Sequence, residues 1–281
     1  MRTPGHLDRG MTSTSPHTQA APRAGRGVHA TARIRAVGID GPTAVPYLHN
    51  DGPFHLCQLS HRGTQARVRI VGAMSAPLGG DRLAIHVTAE TGAELEITTA
   101  AATLALRGAT TDHATYDVTL TVEEQATLSW LPHPLISTHG SNLRQTYTVD
   151  LAPTARLVLR EELILGRAHE TPGNLTSHLT VHRDGRPLLA QHTAFGPAAP
   201  GWDGPAVLAG HRATGHVLIV DPAFANAPPA TRLLGNDPAD GQGIVTPLPG
   251  PALLATALAP TATPLRRLLD DAIDTYTPSR T

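Results

Sequence analysis

Three stretches of this chain, LAIHVTAETGAELEI, YDVTLTVEEQATLSW and QTYTVDLAPTARLVL, share one alternation of apolar and polar residues and superpose on one another. A period of two marks strands with one buried face. Aligned on Ala93, Ala126 and Ala155, the preceding apolar positions coincide as Ile85/Val118/Tyr147, Val87/Leu120/Val149 and Ala89/Val122/Leu151. The following ones coincide as Leu95/Leu128/Leu157 and Ile97/Trp130/Leu159. Each unit reads as strand, short polar turn (ETG, EEQ, APT), strand, that is, a hairpin. One hairpin cannot bury its apolar face alone, so the repeat of about 30 residues predicts stacking into a shared core. The fold expected is mainly β: stacked β-hairpins in a β-solenoid-like or layered-sheet arrangement, without the long helices that cover a βαβ sheet.

A fourth hairpin is expected in HLTVHRDGRPLLAQH, where Asp184-Gly185 supplies the positive-φ turn. Between Phe195 and Pro251 the sequence predicts short strands (HVLIV, GIVTPL) among long loops. The one strong helical pattern closes the chain at about 264–276. There Leu265, Leu268, Leu269, Ala272, Ile273 and Tyr276 form one apolar stripe, with Thr263 as cap and Pro264 at the first helical position. Internal packing is the expected use of that stripe. Residues 1–27, rich in Ser, Thr, Pro, Gly and Arg, read as a disordered tail and not as a secretory signal. Residues 28–281 then form a single β domain.

Composition narrows the function. The formal net charge is -1, and every cation among the 22 Lys and Arg is an arginine. Bulk electrostatics therefore point to neither nucleic acid nor a membrane surface. No apolar run is long enough to span a bilayer, and a cytoplasmic location is expected. Charged residues make up 16% and aromatics 3%, so the core must come from Leu, Val, Ile and Ala. Cys57 stands alone, which excludes a disulfide framework and a cysteine zinc site; in HLCQL it reads as a buried, inert thiol.

Sixteen histidines invite a metal site. The spacings are His133/His139, His178/His182 and His211/His216, but an i, i+4 pair on a strand lies about 13 Å apart and cannot share one ion. A transient metal contact is more plausible than a fixed cage. The chain lacks a G-x-S-x-G elbow, an H-E-x-x-H motif and a lysine-containing phosphate loop, so no enzyme activity is expected. Trp130 occupies an inward repeat position, and Pro132 and Pro134 then weaken strand pairing, leaving His133 at an irregular strand end. Adjacent Glu161 and Glu162 point to opposite faces of a strand. One should face inward, and a buried carboxylate demands an arginine partner or a polar channel.

Taken in order, PLGGDRL, GAELEITTAAATLAL, ATLSWLPHPLI, NLRQTYTVDLAPTARLVLREELILGR, DGRPLL and TRLLG resemble the urease accessory protein UreD (UreH) family, from about Val28 to Tyr276. The matching motif positions include Gly79, Gly80, Thr98, Thr99, Trp130, Pro132, Pro134, Gln145 and Gly166. The chain also departs from the family pattern. T-T-Q-A-A-T-K is here Thr98-Thr99-Ala100-Ala101-Ala102-Thr103-Leu104, and Pro-Gln-Pro is Pro132-His133-Pro134. Trp-Glu is Arg160-Glu161, with Glu162 where an apolar residue is usual.

The resemblance implies a mostly-β fold with right-handed β-helical character. It also implies a non-enzymatic chaperone role in assembling urease's nickel site, with no permanently bound cofactor and nickel held only in transit. The implied partners are UreF-like and UreG-like proteins, the latter the GTPase, and apo-urease. Asp81, Glu161 and His133 are the candidates for a nickel path. The alternative left by the residues alone is a β-solenoid carbohydrate-binding or carbohydrate-active module.

Overall fold

A computed structural model describes residues 27–38 and 41–277; the expected tail lies outside them apart from Gly27. The chain opens with β1 (His29–Val37), β2 (Ala44–His49), β3 (Phe54–Arg62) and β4 (Gln65–Gly72). The repeat region follows as β5 (Arg82–Ala89), β6 (Glu94–Thr99), β7 (Thr103–Ala105), β8 (Ala114–Val122), β9 (Thr127–Leu131), β10 (Leu135–Ser137), β11 (Asn142–Leu151) and β12 (Arg156–Leu165). It ends with β13 (Asn174–Arg183), β14 (Arg186–Phe195), β15 (Ala213–Val220), β16 (Arg232–Leu234), β17 (Gln242–Leu248), β18 (Ala252–Ala259) and α1 (Ala262–Tyr276).

The mainly-β, stacked-coil class holds, but the repeat units are not hairpins. β5, β8 and β11 lie in a 7-stranded sheet, whereas β6, β9 and β12 lie in an 11-stranded one. Each unit is therefore an arch whose two strands belong to opposite layers. Neighbouring units pair in parallel, β5 with β8 with β11 and β6 with β9 with β12. The pairing follows the sequence superposition residue for residue: Ile85 opposes Val118, which opposes Tyr147, and Ile97 opposes Trp130, which opposes Leu159.

The aligned alanines explain the corners. Ala93, Ala126 and Ala155 are each 0% exposed, and each amide donates to a carbonyl three residues back. The chain turns from one sheet to the other here, with the alanine methyls buried inside the corner. The corners are stitched to one another as well, Thr127 N to Ala93 O at 2.8 Å and Arg156 N to Ala126 O at 2.9 Å.

The main apolar core fills the space between the sheets. A second core lies on the outer face of the larger sheet, where Leu265, Leu269, Ala272 and Ile273 of α1 cover β15 and β18. The expected stripe thus packs internally. The helix starts earlier than expected: Thr261 is its N-cap, without a side-chain cap bond, and Thr263 and Pro264 fall inside the first turn. β13 and β14 form the expected true hairpin, with Asp184 at φ 53° and Gly185 at φ 68°. Cys57 is only half-buried, because β3 is an edge strand with one flank open. No helix of the described residues is long and apolar enough to cross a membrane.

Candidate functional site: a slot across the larger sheet

The parallel ladder of the larger sheet is interrupted at one level in successive coils. Pairing of β9 with β12 stops at Trp130–Leu159, and pairing of β10 with β12 resumes at Leu135–Leu163. One coil earlier, β6 pairs with β9 up to Thr98–Leu131, and β7 pairs with β10 from Thr103–Leu135. The prolines cause this break: Pro132 and Pro134 have no N–H to donate. Across from them, Arg160, Glu161 and Glu162 of β12 face a gap. Side chains bridge it where the backbone does not. His133 N donates to Thr99 Oγ1 at 2.9 Å, and Arg160 Nη2 reaches Pro132 O at 3.5 Å.

A cavity of about 20 Å³ occupies the gap, room for roughly one water or one small ion. Its lining brings together Thr99, Trp130, Pro132, His133, Gln145, Tyr147 and both glutamates.

Glu161 and Glu162 point to opposite faces as expected, Glu161 inward, yet both are buried, at 3% exposure each. The reason is that β12 is covered twice, by the smaller sheet inside and by α1 outside. On the inner side, Glu161 Oε1 accepts from Ser177 Oγ at 2.6 Å and Gln145 Nε2 at 3.3 Å. Glu161 Oε2 lies 3.5 Å from His216 Nδ1. Gln145 Nε2 also donates to Tyr147 Oη at 2.6 Å. Burial holds the His216 imidazole below its ordinary pKa, against the pull of Glu161. Burial and the nearby Glu161 carboxylate together raise Tyr147 well above its own. Gln145 Oε1 and His216 Nε2 are buried without a hydrogen-bond partner among the described residues. The inner cluster therefore offers a carboxylate, an amide oxygen and a neutral imidazole, with lone pairs left over.

The outer side differs. Glu162 Oε1 lies 2.8 Å from Arg160 Nε and 2.5 Å from Arg266 Nε, and Arg160 Nη1 also pairs with Asp270 at 2.7 Å. Burial raises the Glu162 pKa and the two guanidiniums oppose it. His133 sits nearby, its pKa lowered by partial burial and then by Arg266, Arg160 and Arg69.

Of the motif residues, Thr99, Trp130, Pro132, His133, Gln145 and Glu161 line this site; Thr98 and Pro134 flank it. Gly79, Gly80 and Asp81 do not. Asp81 is turn machinery before β5: its carboxylate accepts from Val28 N at 2.7 Å and Leu78 N at 2.8 Å, beside Gly80 at φ 95°. Gly166, at φ 83°, terminates β12. Sequence reasoning singled out neither His216 nor Arg266 as a partner of these glutamates. His216 was noted only for its spacing to His211, and it lies inside the fully buried strand β15, where a lone polar residue before VLIV was a further signal. The backbone behind Glu161 is also packed too closely for a side chain on the next strand: a Cβ at Gly215 would meet Glu161 O at 2.5 Å. Among the described residues there is no group of three or more His, Cys, Asp or Glu able to hold a metal ion.

The family model for the UreD urease accessory protein matches residues 28–281. "Urease accessory protein UreD 2" of Saccharopolyspora erythraea is 79% identical over 280 residues, covering 100% of this chain and 99% of that protein. "Urease accessory protein UreD 3" of Streptomyces griseus is 56% identical over 252 residues, covering 88% and 96%. "Urease accessory protein UreD" of Streptomyces coelicolor is 53% identical over 249 residues, covering 88% and 96%. With its described fold and a match running from Val28 to its last residue, this chain belongs to the UreD urease accessory protein family.

Proposed function

We propose that this chain is a non-enzymatic scaffold in urease maturation, helping to deliver nickel to apo-urease together with UreF-like and UreG-like partners. GTP hydrolysis would belong to the UreG-like partner. Family membership supports the maturation role. The observation that carries the nickel reading is the Glu161 cluster: a buried carboxylate at a break in the sheet, beside an amide oxygen and an imidazole nitrogen that lack partners. A borderline divalent ion suits such mixed oxygen and nitrogen donors. One carboxylate with two neutral donors, and no closed cage among the described residues, suit passage better than storage. Asp81, whose carboxylate is committed to two backbone amides, is on this reading structural. His133 lines the opening without being a required ligand. A carbohydrate module gains nothing here, since Trp130 and Tyr147 pack edge to face at 6.5 Å in the core instead of forming a platform.

The test is co-expression of apo-urease with the other accessory proteins, with this chain, without it, and with Glu161→Gln. Urease activity and bound nickel are measured in each case. The reading expects both to fall without the chain and with the variant. Full activity and nickel without the chain would overturn the maturation role. Full activity with Glu161→Gln would remove Glu161 from the path.

A further inference from the structure

On the face of the smaller sheet that looks away from the slot, two histidines meet side by side. His178 of β13 and His192 of β14 are direct cross-strand partners, with ring centroids 4.1 Å apart and planes 21° from parallel. His192 is exposed and His178 partly so. We propose that His178 and His192 form a two-imidazole surface site for a borderline divalent transition-metal ion, completed by water. This inference does not rest on the nickel-delivery reading, since the pair lies across the sheet from Glu161.

The cross-strand placement brings both imidazoles within reach of one ion. Metal–imidazole nitrogen distances of about 2.0–2.1 Å put two nitrogens in adjacent positions roughly 3 Å apart. In the stack, 4.1 Å apart, the in-plane lone pairs run nearly parallel, so a shared ion requires both rings to rotate out of the stack while the ladder holds their backbones in register. The surroundings decide the class of ion. Partial burial, then His192 and Arg144, holds His178 below its ordinary pKa. Across β11 the neighbour of His178 is Thr146, with Arg144 two residues before it on the same face. Neither supplies negative charge. A hard cation such as magnesium, which wants several oxygen ligands, gains little there, whereas imidazole suits nickel, copper and zinc. His178 and His182, too far apart along one strand to share an ion, do not meet. His182 lies 3.7 Å from Asp150 instead.

The test is calorimetric titration of the full chain with nickel chloride, with magnesium chloride as contrast, on the unaltered protein, His178→Ala, His192→Ala and His192→Phe. His192→Phe keeps a stacked ring but removes the nitrogen. The expected result is one nickel site whose affinity falls at least tenfold in all three variants and persists in Glu161→Gln/His216→Gln. No nickel binding, binding unchanged in His192→Phe, binding lost only in the Glu161/His216 variant, or equal binding of magnesium would each overturn the proposal.

Discussion

The two sides of β12 carry adjacent glutamates, buried to the same degree, in opposite chemical settings. Outside, Glu162 is neutralised by Arg160 and Arg266 and sealed by α1. Inside, Glu161 touches a hydroxyl, an amide and an imidazole whose pKa burial lowers, with no arginine against it among the described residues. The difference teaches how burial and charge are reconciled. An ion pair that closes on itself holds elements together; a carboxylate among neutral donors is tolerated only where hydrogen bonds suffice, and it keeps a capacity for a cation.

The outer network should give the largest effect on stability. Glu162→Ala strands Arg266 and leaves Arg160, 8% exposed, with Asp270 alone as counter-charge. A loss of about 3–5 kcal/mol is expected in urea unfolding, by the usual cost of breaking a buried ion pair. Replacing the cluster together, as Arg160→Met/Glu162→Leu/Arg266→Met, should recover most of it. A single Glu162→Ala costing under about 1 kcal/mol would show that the network is not what holds α1 to β12.

The corners should come next. Ala126→Leu adds bulk at a position with 0% exposure where the sheets converge, and about 1–3 kcal/mol of overpacking is expected. Leucine at an exposed arch residue, Glu124→Leu, loses only a surface hydrogen bond from Thr154 and should cost under about 1 kcal/mol. Equal effects at the two positions would mean that the corner is more open than its stacked hydrogen bonds indicate.

A smaller effect is expected from acid. The His216 pKa is lowered in the folded chain, so below the ordinary value of 6.5 the unfolded chain binds the extra proton first. Stability should therefore be full above pH 6.5 and fall as the pH drops toward the folded pKa. The slope is at most about 1.4 kcal/mol per pH unit for one group. His216→Gln removes that part of the slope. His133 and His178, shifted the same way, keep a residual one. An unchanged pH profile in His216→Gln would show that this imidazole is not the group that limits acid stability.

Much of the β architecture was legible because alternation states which residues share a buried face. The stacking of Ile85 on Val118 on Tyr147 follows from that alone. Alternation does not state which strand lies alongside, and hairpin and arch bury the same residues. The turns carried the distinction. Asp184-Gly185 gives the two consecutive positive-φ residues a hairpin uses, whereas the arches have one at most, Gly92 or Gln125. For the site, Pro132 and Pro134 announced a break and Glu162 announced a need for arginine. That the break aligns with Glu161, and that His216 arrives opposite it, depends on β15 pairing antiparallel to β12 from more than fifty residues away. No local pattern encodes that register.

The smallest stability change is expected at Glu161, and it is the sharpest test of the comparison. Glu161→Gln keeps an oxygen for Ser177 and loses the charge facing His216. Its 3.5 Å separation and the neutral imidazole make that charge contact weak. A change within about 1 kcal/mol is expected, the ordinary scale of one hydrogen bond adjusted within a satisfied cluster. Glu162→Gln leaves Arg266 without its counter-charge and Arg160 with Asp270 alone, and should cost several times more. Should the two substitutions destabilise alike in urea, the inner carboxylate would be structural too, and its lack of a cationic partner would carry no functional meaning. Should they separate as expected, the energetic indifference of Glu161 to folding is itself informative: a buried charge that contributes little to holding the fold together is kept for something the fold does.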